Sequence, residues 1–435
     1  NMETPTITVR AVFGVGQRDE PRGKAGLTAM TTGLMSEATT ERSAAEFAEA
    51  LGRLGASLFV SPGQYQTTVT LNVLAKHLDE AMPLMLERIQ QPAMTEEDFA
   101  RVKQQTIEAL QQQRKSPSGL ASRAFGAVMR GAEHPLSYPI SGLPSTVENI
   151  TLEDVKDYYG AHFPQHLTGV TVSSSLPQER IITAVDGLAQ LEVQEPIRAA
   201  LAMTEPKIEG RTVYLVNKED AAQSTLRTGQ HALPYDALGD YYRASLANFP
   251  LGGNFSSRIN LNLREDKGYT YGARTFMSGD PESGTHVFSS EIQADATAAA
   301  LQEVLMELET YDAEGMTEEE FNFMRSAIGQ TDARRYETPG AKLGLLSNIL
   351  RYDLPLDYRT QQNAILAETD RETLNRIISE TLEPENLAIV VVGDEAEVRE
   401  DLEALGMPIV RLDEDGNVIE EEAPAAAAGA GTSSE

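Results

Sequence analysis

The sequence predicts an α+β protein of two homologous domains, each a mixed β-sheet with helices packed on one face. Three observations lead there. Met94-Thr95-Glu96-Glu97-Asp98-Phe99 recurs as Met316-Thr317-Glu318-Glu319-Glu320-Phe321, an offset of 222 residues that Pro117 and Pro339 share. Pro164-x-x-Leu167, ahead of the apolar run 169–173, matches Pro384-x-x-Leu387 ahead of 388–392, an offset of 220. Strand-like and helix-like stretches also mix without strict alternation, as when helices segregate to one face of a sheet.

Taken in order, the first domain is expected over 1–192. Ile7–Phe13 reads as a strand, and 43–54 as an amphipathic helix that Gly55 ends. Residues 57–61 and 66–73 alternate as a hairpin does. Residues 77–89, 95–114 and 151–162 carry helical spacing. Each Met-Thr-Glu-Glu run reads as a helix start, with threonine as N-cap and carboxylates in the first turn. Residues 193–211, with two prolines and mixed charge, read as a linker. The second domain is expected over 212–412. Residues 413–435 turn acidic and then rich in Ala and Gly, the composition of a flexible tail.

Composition excludes several functions. The absence of cysteine removes disulfides and thiolate metal sites, and no apolar run approaches the length of a membrane span. A net charge of −30 repels a phosphate backbone, so no nucleic-acid partner is expected, although such a surface can steer basic peptides. The chain starts Asn1-Met2 and enters an extended pattern almost at once, which suggests a processed start. A periplasmic location after removal of an export signal is therefore expected, and a cytoplasmic one otherwise.

The most informative stretch is 252–276. Gly252, Gly253 and Asn254 open it. Phe255, Ile259 and Leu263 follow at helical spacing, with Asn254 or Ser256 as candidate N-cap. Gly268 stands where a helix ends in a left-handed residue, and 269–276 is β-prone. Arg264 would close the helix while Tyr271 stands on the strand turning back beside it, a guanidinium and a phenol that both donate to a carbonyl oxygen. The bland alternative is an arginine on a solvated helix end and a core tyrosine.

The run Gly252-Gly253…Ser257-Arg258…Leu263-Arg264-Glu265…Gly268-x-x-Tyr271 resembles the C-terminal signature of the pitrilysin/insulinase family of zinc peptidases. That family carries an arginine and a tyrosine seven positions apart, as here, which hold substrate carbonyls during cleavage. The resemblance runs from about residue 5 to 412 and includes Gln17–Pro21, Gly23–Leu27 and His134-Pro135-Leu136. It implies a processing-peptidase-like fold, with Arg264 and Tyr271 catalytic and Gly252, Gly253 and Asn254 beside the peptide.

The family's H-x-x-E-H motif puts two histidine ligands and a general base on one helix. The alignment at Gly26-Leu27 sets Ala29 and Gly33 at the histidine positions and Thr32 at the glutamate. None offers a ligand or a base. Glu108, near the third ligand position, reads as a solvated helical carboxylate. His162 and His166 are closely spaced, but Pro164 interrupts any helix that would align them. No metal site or cofactor is expected in this chain. The resemblance implies that zinc belongs to a homologous H-x-x-E-H subunit, with this chain as the other half of a heterodimeric peptidase acting on unfolded peptides. A structural core protein and a stand-alone peptide-binding module are the alternatives.

Overall fold

Strand β1 (Thr6–Phe13) alternates Ile7, Val9, Ala11 and Phe13 toward one side, and β3 (Thr67–Leu74) does the same with Val69, Leu71 and Val73. Their register sets Val9 opposite Leu71 and Ala11 opposite Val69, so one apolar face forms. Strands β2 (Ser57–Ser61) and β4 (Leu167–Ser173) complete a four-stranded antiparallel sheet in the order β2-β3-β1-β4. The computed structural model describes residues 6–191, 205–332 and 338–420.

Helices cover the apolar face: α1 (Leu27–Met35), α2 (Ala44–Arg53), α3 (Leu78–Gln90), α4 (Glu96–Gln113), α5 (Pro117–Arg130), α6 (Pro144–Glu148), α7 (Leu152–His162) and α8 (Gln178–Ala189) all precede residue 190, and all but α5 lie with this sheet or its helices. Leu27, Met30 and Leu34 of α1 and Leu78, Met82 and Met85 of α3 join the strand residues in one core. Burying each such side chain contributes about 1.5–3 kcal/mol before entropy is counted.

The second sheet repeats the first. Strands β5 (Arg211–Asn217), β6 (Gln223–Ala232), β7 (Thr270–Gly279), β8 (Gly284–Gln293), β9 (Leu387–Gly393) and β10 (Ile409–Leu412) lie in the order β7-β8-β6-β9-β5-β10. Its first four strands follow the order β2-β3-β1-β4 of the first sheet. Parallel pairing of β9 with β5 and of β5 with β10 makes it mixed. Helices α9 (Asp240–Asn248), α10 (Arg258–Asn260), α11 (Thr297–Glu314), α12 (Glu318–Asp332), α13 (Pro339–Tyr352), α14 (Tyr358–Glu368), α15 (Arg371–Thr381) and α16 (Glu395–Glu403) follow in order. Both repeated Met-Thr-Glu-Glu runs start helices as expected. Thr95 Oγ1 accepts from Asp98 N at 3.1 Å, and Thr317 Oγ1 accepts from Glu320 N at 3.2 Å.

The helices that begin at the repeated prolines are exchanged. Helix α5, from the first half, packs on β6 and β9 of the second sheet, where Leu120, Ala121 and Ala124 meet Val390 and Val392. Helix α13, from the second half, packs on β1 and β4 of the first sheet, and Arg10 Nη1 donates to Ser347 Oγ at 3.0 Å. Two strand glycines make room for it. A Cβ on Gly229 would lie 2.3 Å from Phe125 Cζ, and one on Gly169 would lie 2.8 Å from Leu350 Cδ1.

Residues 413–420, expected to begin a flexible tail, are instead docked. Arg123 Nε donates to the Asp415 carbonyl at 2.7 Å, Arg114 pairs with Asp415, and Ile419 N donates to Arg411 O at 2.9 Å. The acidic composition that suggested solvation is met by two arginines, Arg114 at the C-cap of α4 and Arg123 of α5. Residues 421–435, and 193–204 of the expected linker, lie outside the described residues.

Candidate functional site

Between α9 and β7 the chain is helical but loosely wound. Phe249–Gly253 and Leu261–Asp266 both form wide turns of π type, a geometry that recurs at functional sites. Lys267 N donates to Asn262 O at 3.0 Å and Tyr269 N to Leu263 O at 2.9 Å. Gly268, at φ +70, then turns the chain into β7, as its left-handed role requires.

Two asparagines fasten this segment to β7. Asn248 Nδ2 donates to Thr275 O at 3.0 Å, while Asn248 Oδ1 accepts from Thr275 Oγ1 at 2.7 Å and faces His286 Nε2 at 2.9 Å. Asn260 Nδ2 donates to Phe255 O at 2.7 Å, and its Oδ1 accepts from Ala273 N at 2.9 Å. The second bond matters because β7 slips register against β8 between Thr270 and Ala273. That irregularity releases Tyr271 from the ladder, as bulges do when they re-aim a side chain. Burial of His286 holds its imidazole down at about 4, so it is neutral near pH 7.

Arg264 and Tyr271 line one open hollow of about 390 Å³, with Gln223, Glu265, Tyr269 and Gln293 around it. Tyr271 is 91% exposed, so it is no core tyrosine. The Arg264 guanidinium lies over the Phe255 ring at 4.4 Å. Glu265 approaches Arg264 Nη1 to 3.3 Å without hydrogen-bond alignment, and Nη1 has no hydrogen-bond partner. The hollow is therefore lined by one half-buried cation, ion-paired with Glu265 and with its Nη1 lacking a hydrogen bond, and by one exposed phenol.

The opening residues of the stretch lie elsewhere. Gly252 is packed against β7, where a Cβ would sit 2.2 Å from Thr275 Oγ1. Gly253 is exposed beside Asn248. Asn254 is occupied locally, donating to Phe249 O at 2.7 Å and accepting from Ser256 N at 2.8 Å. None of the three lines the hollow. Ser257, rather than Asn254 or Ser256, occupies the N-cap of α10, and Phe255 falls before the helix and is exposed instead of sharing the buried face of Ile259 and Leu263. Arg258, next in the same run, is structural: it pairs with Glu320 at 2.5 Å and lies over the Tyr311 ring. Gln223 and Gln293, 70 residues apart in sequence, carried no local signal; only the pairing of β6 with β8 brings them together.

On α1 of the first half, the residues aligned with a zinc motif do not fit the metal. Thr32 is buried and its hydroxyl donates to Ala29 O at 3.0 Å. Gly33 lies against α4, where even a Cβ would crowd Val102 Cγ1 at 3.1 Å. Glu108 is exposed and accepts from Gln104 Nε2 at 2.8 Å. His162 and His166 face each other at 3.3 Å between ring nitrogens, and burial, with His166 adding to it, pushes His162 down to about 4. Among the described residues no group of three or more His, Asp or Glu side chains is placed to hold a metal ion. Nor is any described helix long and apolar enough to cross a membrane.

The sequence matches the family description "Insulinase (Peptidase family M16)" over residues 1–139 and "Peptidase M16 inactive domain" over residues 149–328. Among curated proteins it is similar to an uncharacterized zinc protease of Rickettsia felis, 24% identical over 358 residues, covering 82% of this chain and 81% of that one. It is also similar to the non-peptidase homolog YmxG of Helicobacter pylori, 22% identical with 90% and 89% covered. Among solved structures, a peptidase M16 inactive domain from Pseudomonas fluorescens superimposes with a TM-score of 0.81 at 21% identity, over 90% of this chain and 94% of the other.

Proposed function

We propose, from the premise that this chain belongs to the M16 insulinase-type peptidase family, as an inactive-type homologue, that it is the non-metal subunit of a two-chain zinc endopeptidase acting on unfolded peptides. A homologous chain bearing H-x-x-E-H would hold the zinc. This chain supplies donors. The Tyr271 hydroxyl and the Arg264 guanidinium donate to carbonyl oxygens of an extended peptide, and more strongly as one carbonyl gains negative charge. Fixed donors of this kind favour the charged state because they need no reorganisation when it forms.

One observation carries the reading. Arg264 and Tyr271 line the same hollow, with Arg264 Nη1 in no hydrogen bond and Tyr271 exposed, whereas Ala29, Thr32 and Gly33 offer neither a metal ligand nor a base. The name "non-peptidase homolog" given to the Helicobacter relative is consistent with that division. A neighbouring strand edge supports the substrate class, because β7 is the outermost strand of its sheet and an extended peptide can add to such an edge through its main chain.

The test is co-expression with an H-x-x-E-H homologue from the same source, followed by gel filtration, metal analysis and a peptide-cleavage assay. The expected result is one complex that cleaves peptides, with zinc in the partner and neither chain active alone. Stoichiometric zinc in this chain, or failure of every homologue to join it, would overturn the proposal. A complex that assembles and never cleaves would favour a structural role.

A further inference from the structure

We propose that a second cleft, between the two halves, binds the carboxylate of a peptide through the guanidinium groups of Arg227 and Arg351. The cleft measures about 380 Å³, and its walls include Phe125 and Arg130 of α5, Arg227 of β6, Phe276 of β7, and Arg351 and Tyr352 of α13. The helix exchange places α5 on the second sheet, and the C-terminal end of α13, which packs on the first sheet, meets it at this cleft with Arg351 and Tyr352.

The charges in the cleft are unequally committed. Arg130 is neutralised by Asp280 at 2.7 Å and Glu205 at 3.5 Å. Asp280 is itself saturated, since it also accepts from Glu282 N and Ser283 N, each at 2.9 Å. Arg227 and Arg351 differ. The Nε of each is buried with no hydrogen-bond partner, and no described carboxylate forms an ion pair with either guanidinium. Arg351 lies over the rings of Tyr65 and Tyr352, at 5.2 and 4.9 Å, which fixes its plane without consuming its donors. Glu291 attracts Arg227, but it already accepts from Thr225 Oγ1 at 2.7 Å. Burial lowers the Arg227 pKa, and Glu291 offsets only part of that cost.

Two orphaned guanidiniums in a chain of net charge −30 call for an anion. Their planar forks match the two oxygens of a carboxylate. Phe125, Phe276 and Tyr352 provide an apolar wall for the residue that carries it. Arg274 of β7 lies on the same row, since it and Arg227 both pair with Ser289 of β8, and it extends the positive field toward the sheet edge. Ser278, which lines the cleft, is seven residues along β7 from Tyr271, roughly 23 Å at a strand rise of about 3.3 Å per residue. If the reading of Arg264 and Tyr271 holds, one extended peptide spans both sites. The carboxylate site stands without it.

The test uses the full chain alone and a labelled peptide ending in phenylalanine, prepared as the free acid and as the C-terminal amide, with binding followed by fluorescence anisotropy. The acid should bind at least about tenfold tighter, as two charge-assisted bonds imply. Arg227→Met and Arg351→Met should each abolish the difference. Arg227→Met should do so without lowering the melting temperature, because methionine keeps most of the stem, whereas Arg351→Met also gives up the contacts with the Tyr65 and Tyr352 rings and is assayed below its own melting temperature. An amidated peptide with a penultimate glutamate separates the sources: affinity equal to the acid assigns the cleft to side-chain carboxylates, and affinity equal to the plain amide assigns it to chain ends. Acid and amide binding alike, no binding by either, or discrimination surviving in both variants would overturn the proposal. Tyr271→Phe should leave the acid-to-amide ratio unchanged, which separates failure here from failure of the catalytic reading.

Discussion

Tyr271→Phe removes one oxygen from a side chain that is 91% exposed. No packing is lost, and the register slip that frees residue 271 is held by Asn260 and Ala273, which the substitution does not touch. Folding and assembly should therefore match the wild type. Loss of one donor to a developing oxyanion costs on the order of 10²–10³ in rate, or about 2.7–4 kcal/mol. The assay is peptide cleavage by the two-chain complex at equal zinc content and equal assembly, with kcat and KM determined separately. If the hydroxyl acts mainly in the transition state, kcat and kcat/KM fall together and KM holds. A rise in KM alone would make Tyr271 a binding residue. An unchanged rate would refute the assignment of the hollow. Arg264→Gln should lower the rate as well, but it also removes a cation from the Phe255 ring, so it is the less clean comparison.

Gly252→Ala should destabilise the protein by about 1–3 kcal/mol, seen as a lowered melting temperature, because a Cβ there meets Thr275 Oγ1 at 2.2 Å and the strand must shift; a full-stability variant with reduced turnover would make Gly252 a substrate contact instead. Acid should also weaken the fold. His286 has a folded pKa of about 4, below the ordinary value of 6.5, so the stability it contributes is complete above pH 6.5 and is lost as pH falls toward 4, at most about 3 kcal/mol. Denaturant melts across that range, compared with His286→Gln, measure it; an equal slope in both proteins would remove His286 as the cause. Deleting 421–435 should leave the melting temperature unchanged, whereas truncation after Leu412 should lower it by removing the contacts of Asp415 with Arg114 and Arg123. Equal melting of the two truncations would mean that the docked segment contributes nothing.

Much of this fold is legible locally. The helix starts at Thr95 and Thr317 need only a hydroxyl and a backbone N–H three residues on, and the turn at Gly268 needs only a residue that tolerates positive φ. Periodicity was less reliable where the helix is not regular. Phe255 has the spacing of a buried residue and is exposed, because the chain between Gly253 and Ser257 is a turn and wide π windings follow. The proximity of Arg264 and Tyr271 was readable because a single turn joins them. The cleft of Arg227 and Arg351 was not: its walls come from five elements spread across the chain, α5, β6, β7, β8 and α13, and nothing near either arginine marks it as unpaired. The docking of 413–420 was hidden for a similar reason, since the arginines that receive it are some 300 residues away.

The traded helices have a consequence for how the chain holds together. Each half gives away the helix that would cover one face of its own sheet and receives its counterpart, which is the arrangement of a swapped dimer whose two members share one backbone. A single cut between residues 192 and 204 should thus leave the pieces clasped, co-eluting until denaturant separates them. Expressed apart, each piece would carry an uncovered sheet face and a helix with nowhere to lie, and would be expected to aggregate. The connection between the halves then acts less as a hinge than as a tether that sets the effective concentration of two mutually dependent partners.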